Sequence, residues 1–362
     1  MSPENLQEEV AEPELRRASP CADSRVSDSV RDDLGAEPRR AADKRQAGVV
    51  AFKFGGSSLL GAERMRHAAE LVRPVARASR VVVVVSAMKG VTDRLLRIGQ
   101  ALVAHDSDGA RVEAESLLRL HHEVLEELLP EGEERARVAQ ELDSLGDDLL
   151  YDVHAVAQKA ESPELLDRLA SFGERLAARL FAAALERAEV PAVPVSSSEF
   201  VLTCDTFRDA RPRLTQTRER GRAILLPLLA AGLVPVVTGF IGAAPDGRIT
   251  TLGRNSSDFS GAITAHVVEA DELVIWTDVD GIFTANPHES DEARLLHDLS
   301  YDEAHALAAN GAKVLHPHVL PLAAETGMTV WVRNTFKPHA RGTRIGPQVN
   351  SEGNVRQWGG LA

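Results

Sequence analysis

The stretch Val49-Val50-Ala51-Phe52-Lys53-Phe54-Gly55-Gly56-Ser57-Ser58 decides the fold. Its apolar first half reads as a strand, and its Gly-Gly-Ser-Ser end reads as the turn that follows. A strand that runs into Lys-x-Gly-Gly-Ser-Ser sets one ammonium and two residues without side chains at its carboxyl end. Main-chain N–H groups of such a turn can close around phosphate oxygens, because no Cβ stands in the way. A plain βα turn with a salt-bridging lysine would carry the same letters, so the reading needs partners elsewhere in the chain.

Outward from this strand, a helical pattern covers about 62–78. Val81 to Val85 follows, an unbroken β-branched run that predicts a central strand covered on both faces. Residues from about 92 to 160 are mostly helical. A further helix is expected over about 172–187, with Leu176, Leu180 and Ala184 at helical spacing, then a strand at 192–195, a helix near 215–231 and a strand at 234–238. Asp246-Gly247 marks a hairpin turn. A helix over about 258–269, a strand at 273–277, a capping box at Ser300 and Glu303, a helix stop at Asn310-Gly311 and a strand at 329–332 complete the pattern. Alternation of this kind predicts an α/β fold, a mainly parallel twisted sheet with helices on both faces.

Composition excludes several classes. The 362 residues are 44% hydrophobic, ordinary for a globular chain with a sizeable core. The net charge of −13 and the lack of a basic stripe argue against nucleic acid. No apolar stretch approaches the roughly 20 residues of a membrane span. The two cysteines, Cys21 and Cys204, suit a reducing cytoplasm better than a disulfide framework or a zinc site. Residues 1–47 carry few large apolar side chains and are expected to form a disordered tail.

Four polar or glycine-marked segments fall at strand ends or helix starts: 53–58, 86–93, 250–261 and 276–283. In open α/β sheets such loops converge on one crevice. Thr251-Leu252-Gly253-Arg254-Asn255-Ser256-Ser257-Asp258 is the second strong element. It feeds a helix N-terminus, which favours anions, and Arg254 offers a planar fork for a carboxylate. Ser257 or Asp258 capping that helix, with Arg254 merely on the surface, is the competing explanation.

Taken in order, Lys-Phe-Gly-Gly-Ser-Ser at 53–58, Val-Ser-Ala-Met-Lys-Gly-Val-Thr at 85–92 and Ser-Phe-Gly-Glu-Arg-Leu at 171–176 resemble the aspartate kinase family. So do Thr-Gly-Phe-Ile-Gly at 238–242, Thr-Leu-Gly-Arg-Asn at 251–255, Trp-Thr-Asp-Val-Asp-Gly-Ile at 276–282 and Gly-Ala-Lys-Val-Leu-His-Pro at 311–317. The resemblance covers about 48–346. It implies an amino-acid-kinase fold, a three-layer α/β/α sandwich, with the amino-acid substrate on about 48–240 and the nucleotide on about 241–346.

It also implies transfer of the γ-phosphoryl group of ATP, with Mg²⁺ on the triphosphate, to the side-chain carboxylate of L-aspartate. That reaction opens the route to lysine, threonine and methionine. Under it, Lys53 and Lys313 are the cations on the transferring group and Asp258 holds them. Arg254 clamps the substrate carboxylate, Glu174 its ammonium, and Ser86, Thr92 and Ser257 complete the substrate site. Gly55, Gly56 and Ser57 line the phosphates, while Thr277, Asp278 and Phe283 meet the nucleoside. No protein-held metal is expected, and His316 and His318 read as structural. From spacing alone, Ser171 and Glu174 form a capping box, Lys313 is a plain surface residue and Asp278 to Gly281 is a turn.

The chain departs from the family pattern at Ser256 for a glycine, Phe259 and Phe283 for tyrosines, and Asn286-Pro287-His288 for Asp-Pro-Arg. A Cβ at 256 is expected to crowd the approach to substrate. Residues 347–362 read as a short tail without the paired ACT domains usual in the family, so insensitivity to lysine and threonine is expected and a homodimer is left open. Two other classes stand beside aspartate kinase: a related kinase acting on glutamate, a carbamate or a phosphonate, and a non-catalytic nucleotide-binding paralogue.

Overall fold

The computed structural model describes residues 48–156, 162–285, 290, 292–309 and 315–347. The expected tail over 1–47, Lys313, His288, the helix stop at Asn310-Gly311 and nearly all of the last segment lie outside these residues.

In chain order the elements are β1 (Val49–Phe54), α1 (Gly61–Ala78), β2 (Arg80–Val85), α2 (Val91–Val103), α3 (Ser107–Leu128), α4 (Glu133–Val156) and α5 (Pro163–Arg187). There follow β3 (Ala192–Val195), α6 (Leu214–Ala230), β4 (Val234–Thr238), the hairpin β5 (Ile241–Ala243) and β6 (Ile249–Thr251), and α7 (Ser257–Val267). The remainder is β7 (Glu272–Thr277), β8 (Ile282–Phe283), β9 (Leu295–Leu296), β10 (Asp298–Leu299), α8 (Tyr301–Ala309), α9 (Val319–Thr326), β11 (Thr329–Asn334) and β12 (Thr343–Ile345). One eight-stranded sheet runs β10-β12-β11-β7-β1-β2-β4-β3. All its pairings are parallel except β11 with β12. The sheet is continuous across residue 240, because β1 pairs directly with β7.

Strand β1 explains the layers. Val50, Phe52 and Phe54 face one core with Val81, Val83 and Val85, beneath α1 to α5. Val49 and Ala51 face the other with Val82 and Val84, beneath α6, α7 and α9. Successive side chains alternate across a strand, so both faces are apolar and the sequence shows a continuous run. By the same alternation Lys53 shares a face with Val49 and Ala51, at the carboxyl end of the strand.

Two expectations need correcting. The helix expected from 172 begins at Pro163, which occupies the first turn, where its missing N–H goes unneeded. Ser171 and Glu174 therefore sit mid-helix and form no capping box; the Ser171 hydroxyl donates to the Arg168 carbonyl instead. The box at Ser300 does form, with the Ser300 N–H donating to Glu303 at 2.7 Å and the Glu303 N–H to Ser300 at 3.2 Å. Strands β8, β9, β10 and β12 had no expectation, since two or three residues carry too little period to read.

Candidate functional site

Lys53 is held where β1 ends and α7 begins. Its ammonium lies 2.7 Å from an Asp258 carboxylate oxygen, and the lysine is 7% exposed. Asp258 is in the first turn of α7, a helix that packs on both β1 and β2. It caps nothing, and Ser256, the residue preceding the helix, makes no side-chain cap bond either. Ser257 is also no cap: its hydroxyl accepts from Ser86 at 2.9 Å, joining the ends of β2 and α7.

The Gly-Gly turn divides its tasks. The Gly55 N–H donates to the Trp276 carbonyl at 3.1 Å and so ties β1 to β7 rather than facing an anion. The Gly55 amide is therefore already committed, and any contact of this residue with a phosphate must come from its other atoms. The Gly56 and Ser57 amides have no backbone acceptor among the described residues and remain available at the start of a short 3₁₀ turn. Gly56 is needed for a second reason. A Cβ there would lie 2.6 Å from the Ala87 carbonyl oxygen, so only glycine lets the loop after β2 approach.

Glu174 reaches the same loop from the other core. Its Oε1 accepts from the Ala87 N–H at 3.1 Å, and Oε2 has no hydrogen-bond partner among the described residues. Gly173 makes this approach possible, since a Cβ there would stand 2.7 Å from that of Ala87. Burial raises the Glu174 pKa to about 8, against the lowering effects of the Ala87 N–H and the Lys53 charge. A buried, half-partnered carboxyl within reach of the Lys53 charge is suited to receive an ammonium group.

The other expected residues take varied positions. Thr92 is half-buried at the start of α2. Arg254 is exposed and makes no hydrogen bond or ion pair with a described residue. At the end of β7, Thr277 is half-buried and its carbonyl accepts from the Thr335 N–H at 2.8 Å; Asp278 is exposed. Phe283 lies in β8 opposite Leu295. Ser256 is fully buried and its hydroxyl has no partner among the described residues. His316 stacks on Phe259 with ring centroids 5.3 Å apart, a packing role.

Several side chains around these strand ends had no expected site role. Ser58 and Thr335 share a 2.6 Å hydroxyl bond. Asp280 accepts from Asn334 at 2.6 Å and from Lys337 at 2.8 Å, which together hold its carboxyl below the usual range. Asn334 closes β11, so the rule that ligands gather at the carboxyl ends of parallel strands could have found it. Among the described residues no three His, Cys, Asp or Glu side chains converge on a metal site, and no helix is long and apolar enough to cross a membrane.

The Amino acid kinase family matches residues 48–334. The chain belongs to that family. It is 34% identical over 298 residues to the lysine-sensitive aspartokinase 3 of Escherichia coli, covering 82% of this chain and 64% of the relative. It is 35% identical to the chloroplastic aspartokinase 3 of Arabidopsis thaliana over 81% of this chain and 52% of the relative. Among solved structures it is similar to E. coli aspartokinase III in complex with aspartate and ADP, with a TM-score of 0.76 at 32% identity over 84% of this chain and 65% of that one. The form of that enzyme with lysine and aspartate gives 0.74 at 31% identity over 84% and 66%. The chain thus spans less than two thirds of the length of these two curated relatives. The amino acid kinase fold agrees with the sheet described above, a mainly parallel core between two helical layers.

Proposed function

We propose that this amino acid kinase transfers the γ-phosphoryl group of ATP to the side-chain carboxylate of L-aspartate, giving 4-phospho-L-aspartate and ADP. The observation that carries the reading is the ion pair of buried Lys53 with half-buried Asp258 at the carboxyl end of β1, near a loop that also engages the buried carboxyl of Glu174. Similarity to an aspartokinase solved with aspartate and ADP supports it.

The chemistry follows from charge. A carboxylate attacking a phosphoryl group brings two anions together, so positioning and neutralisation must supply most of the acceleration. The substrate oxygen forms a bond to the γ-phosphorus as the bond to the β,γ-bridging oxygen breaks. No general base is required, because a carboxyl group is already ionised near neutrality. Lys53 supplies positive charge to the transferring group, and Asp258 fixes its ammonium. Lys313 is assigned the second cation. Gly56 and Ser57 offer free amides to phosphate oxygens, with Thr277, Asp278 and Phe283 toward the nucleoside. Magnesium would arrive on the triphosphate, whose oxygens supply ligands that the described residues do not assemble by themselves. Glu174 takes the substrate ammonium, Arg254 its α-carboxylate, and Ser86, Thr92 and Ser257 the reacting end. The product is an activated acyl phosphate, the entry to lysine, threonine and methionine.

A hydroxylamine trap tests this. Incubation with Mg·ATP and L-aspartate should yield aspartyl hydroxamate in proportion to ADP. Hydroxamate from glutamate alone would replace aspartate as acceptor. ADP formation with a carbamate or phosphonate and without hydroxamate would move the chain to that class, and no turnover with any acid would leave a nucleotide-binding paralogue.

A further inference from the structure

Asp167 is 2% exposed and lies on α5, two turns before Glu174 on the same helix. Its Oδ2 accepts from the Arg208 N–H at 2.8 Å and from the Thr251 N–H at 2.8 Å, while its Oδ1 accepts from the Thr251 hydroxyl at 2.7 Å. One carboxylate therefore ties together two segments that are distant in sequence. Thr251 ends β6 and lies three residues before Arg254. Arg208 has φ at 71°, a left-handed backbone that a non-glycine residue adopts only when its surroundings hold it. The same two segments are joined again by the Ala210 N–H, which donates to the Thr251 carbonyl at 2.8 Å. None of these bonds involves β1, β7 or β8, where the nucleotide is assigned.

We infer that Asp167 is a positioning residue for the amino-acid half of the site, fixing the Arg254 loop at a set distance from Glu174. Residues seven apart on an α-helix lie about 10 Å apart along its axis and nearly in line, so α5 acts as a ruler. One end of the ruler holds the ammonium site, and the other anchors the strand that delivers the guanidinium. An α-amino acid presents both charges on one carbon, so its capture depends on that spacing while capture of the nucleotide does not. Burial raises the Asp167 pKa and its three donors oppose the shift.

The inference rests on the reaction assigned above, and its test separates the two. Asp167→Ala leaves three donors without an acceptor and should raise the KM for aspartate at least tenfold, with the KM for ATP within twofold of wild type. Asp167→Asn keeps one oxygen for both amides and turns an NH₂ toward the Thr251 hydroxyl, which can then accept. It should stay within threefold on both substrates. Parallel rises in both KM values, an alanine variant that behaves as wild type, or an asparagine variant as impaired as alanine would overturn the inference. If Asp167→Ala does not fold, Thr251→Val removes the hydroxyl donor alone. It should raise the aspartate KM at least threefold, and no change would count against the assignment. A wild-type protein that makes no aspartyl hydroxamate sinks the assigned reaction instead. Deuterium uptake then decides: faster exchange at residue 208 and at 251–254 in Asp167→Ala supports the positioning role, and unchanged exchange ends it.

Discussion

Raising the pH from 6 to 8 should lower the KM for aspartate about fiftyfold, through Glu174. With its pKa pushed up to about 8, this carboxyl is mostly protonated in the free protein at neutral pH. An ammonium group is bound by the ionised form alone. The ionised fraction rises from about one part in a hundred at pH 6 to about one half at pH 8, and apparent affinity follows it. Binding at pH 7 should consequently release about 0.9 proton per aspartate. Titration calorimetry in two buffers of different ionisation enthalpy reads that number directly, and initial rates at saturating Mg·ATP give the KM profile. Glu174→Gln should flatten the profile and abolish the proton release. It should also stabilise the free protein above pH 8. A group whose folded pKa lies above its ordinary value of 4.5 loses its stabilising contribution as pH rises from there through about 8, and the amide has nothing to lose. A KM independent of pH across this range, with no proton released, would refute the assigned ammonium site.

Lys53→Ala should lower kcat by about a thousandfold, because it removes the cation from the transferring group, while ATP affinity changes far less; rapid-quench turnover and nucleotide titration compare the two, and equal losses would oppose the role. His121, fully buried in α3 with its Nδ1 2.7 Å from the Leu117 carbonyl, has its pKa lowered to about 4 by burial. A depressed histidine contributes stability above its ordinary pKa of 6.5 that is lost as pH falls toward 4. His121→Leu should thus narrow the difference in urea-unfolding free energy between pH 7 and pH 4 by roughly 3 kcal/mol, and an unchanged difference would show that the ring is not the acid-labile group.

The parallel core was legible because its strands are long runs of Val, Ile and Phe, which advertise burial on both faces. Lys53 was legible as the ammonium at a strand end, whereas Asp258 and Glu174 gained a site role only from the family motifs. Their meeting depends on register and packing that letters do not carry. The Ser171–Glu174 spacing shows the difficulty: it matches a capping box, and only the helix start at Pro163 rules that out. Gly56 looked like a turn glycine and Gly173 carried no reading, whereas one gives room to the Ala87 carbonyl and the other to its methyl group. Asp167 gave no local signal whatever, since its partners at Arg208 and Thr251 are set by the path of distant loops. Strands β8, β9, β10 and β12 were invisible for a simpler reason, having no period to read and no Asp-Gly turn between them such as announced β5 and β6.

Because side chains of β1 alternate between two greasy layers, the strand tolerates no change in its count of residues. Deleting one residue between Val49 and Lys53 would rotate the ammonium into the layer occupied by Phe52, Phe54 and Trp276, and would turn phenyl rings toward Asp258. Folding and the proposed phosphoryl chemistry therefore share a single reading frame there. Insertions could accumulate harmlessly in outlying loops, but a frame slip in this one strand would cost the protein both at once.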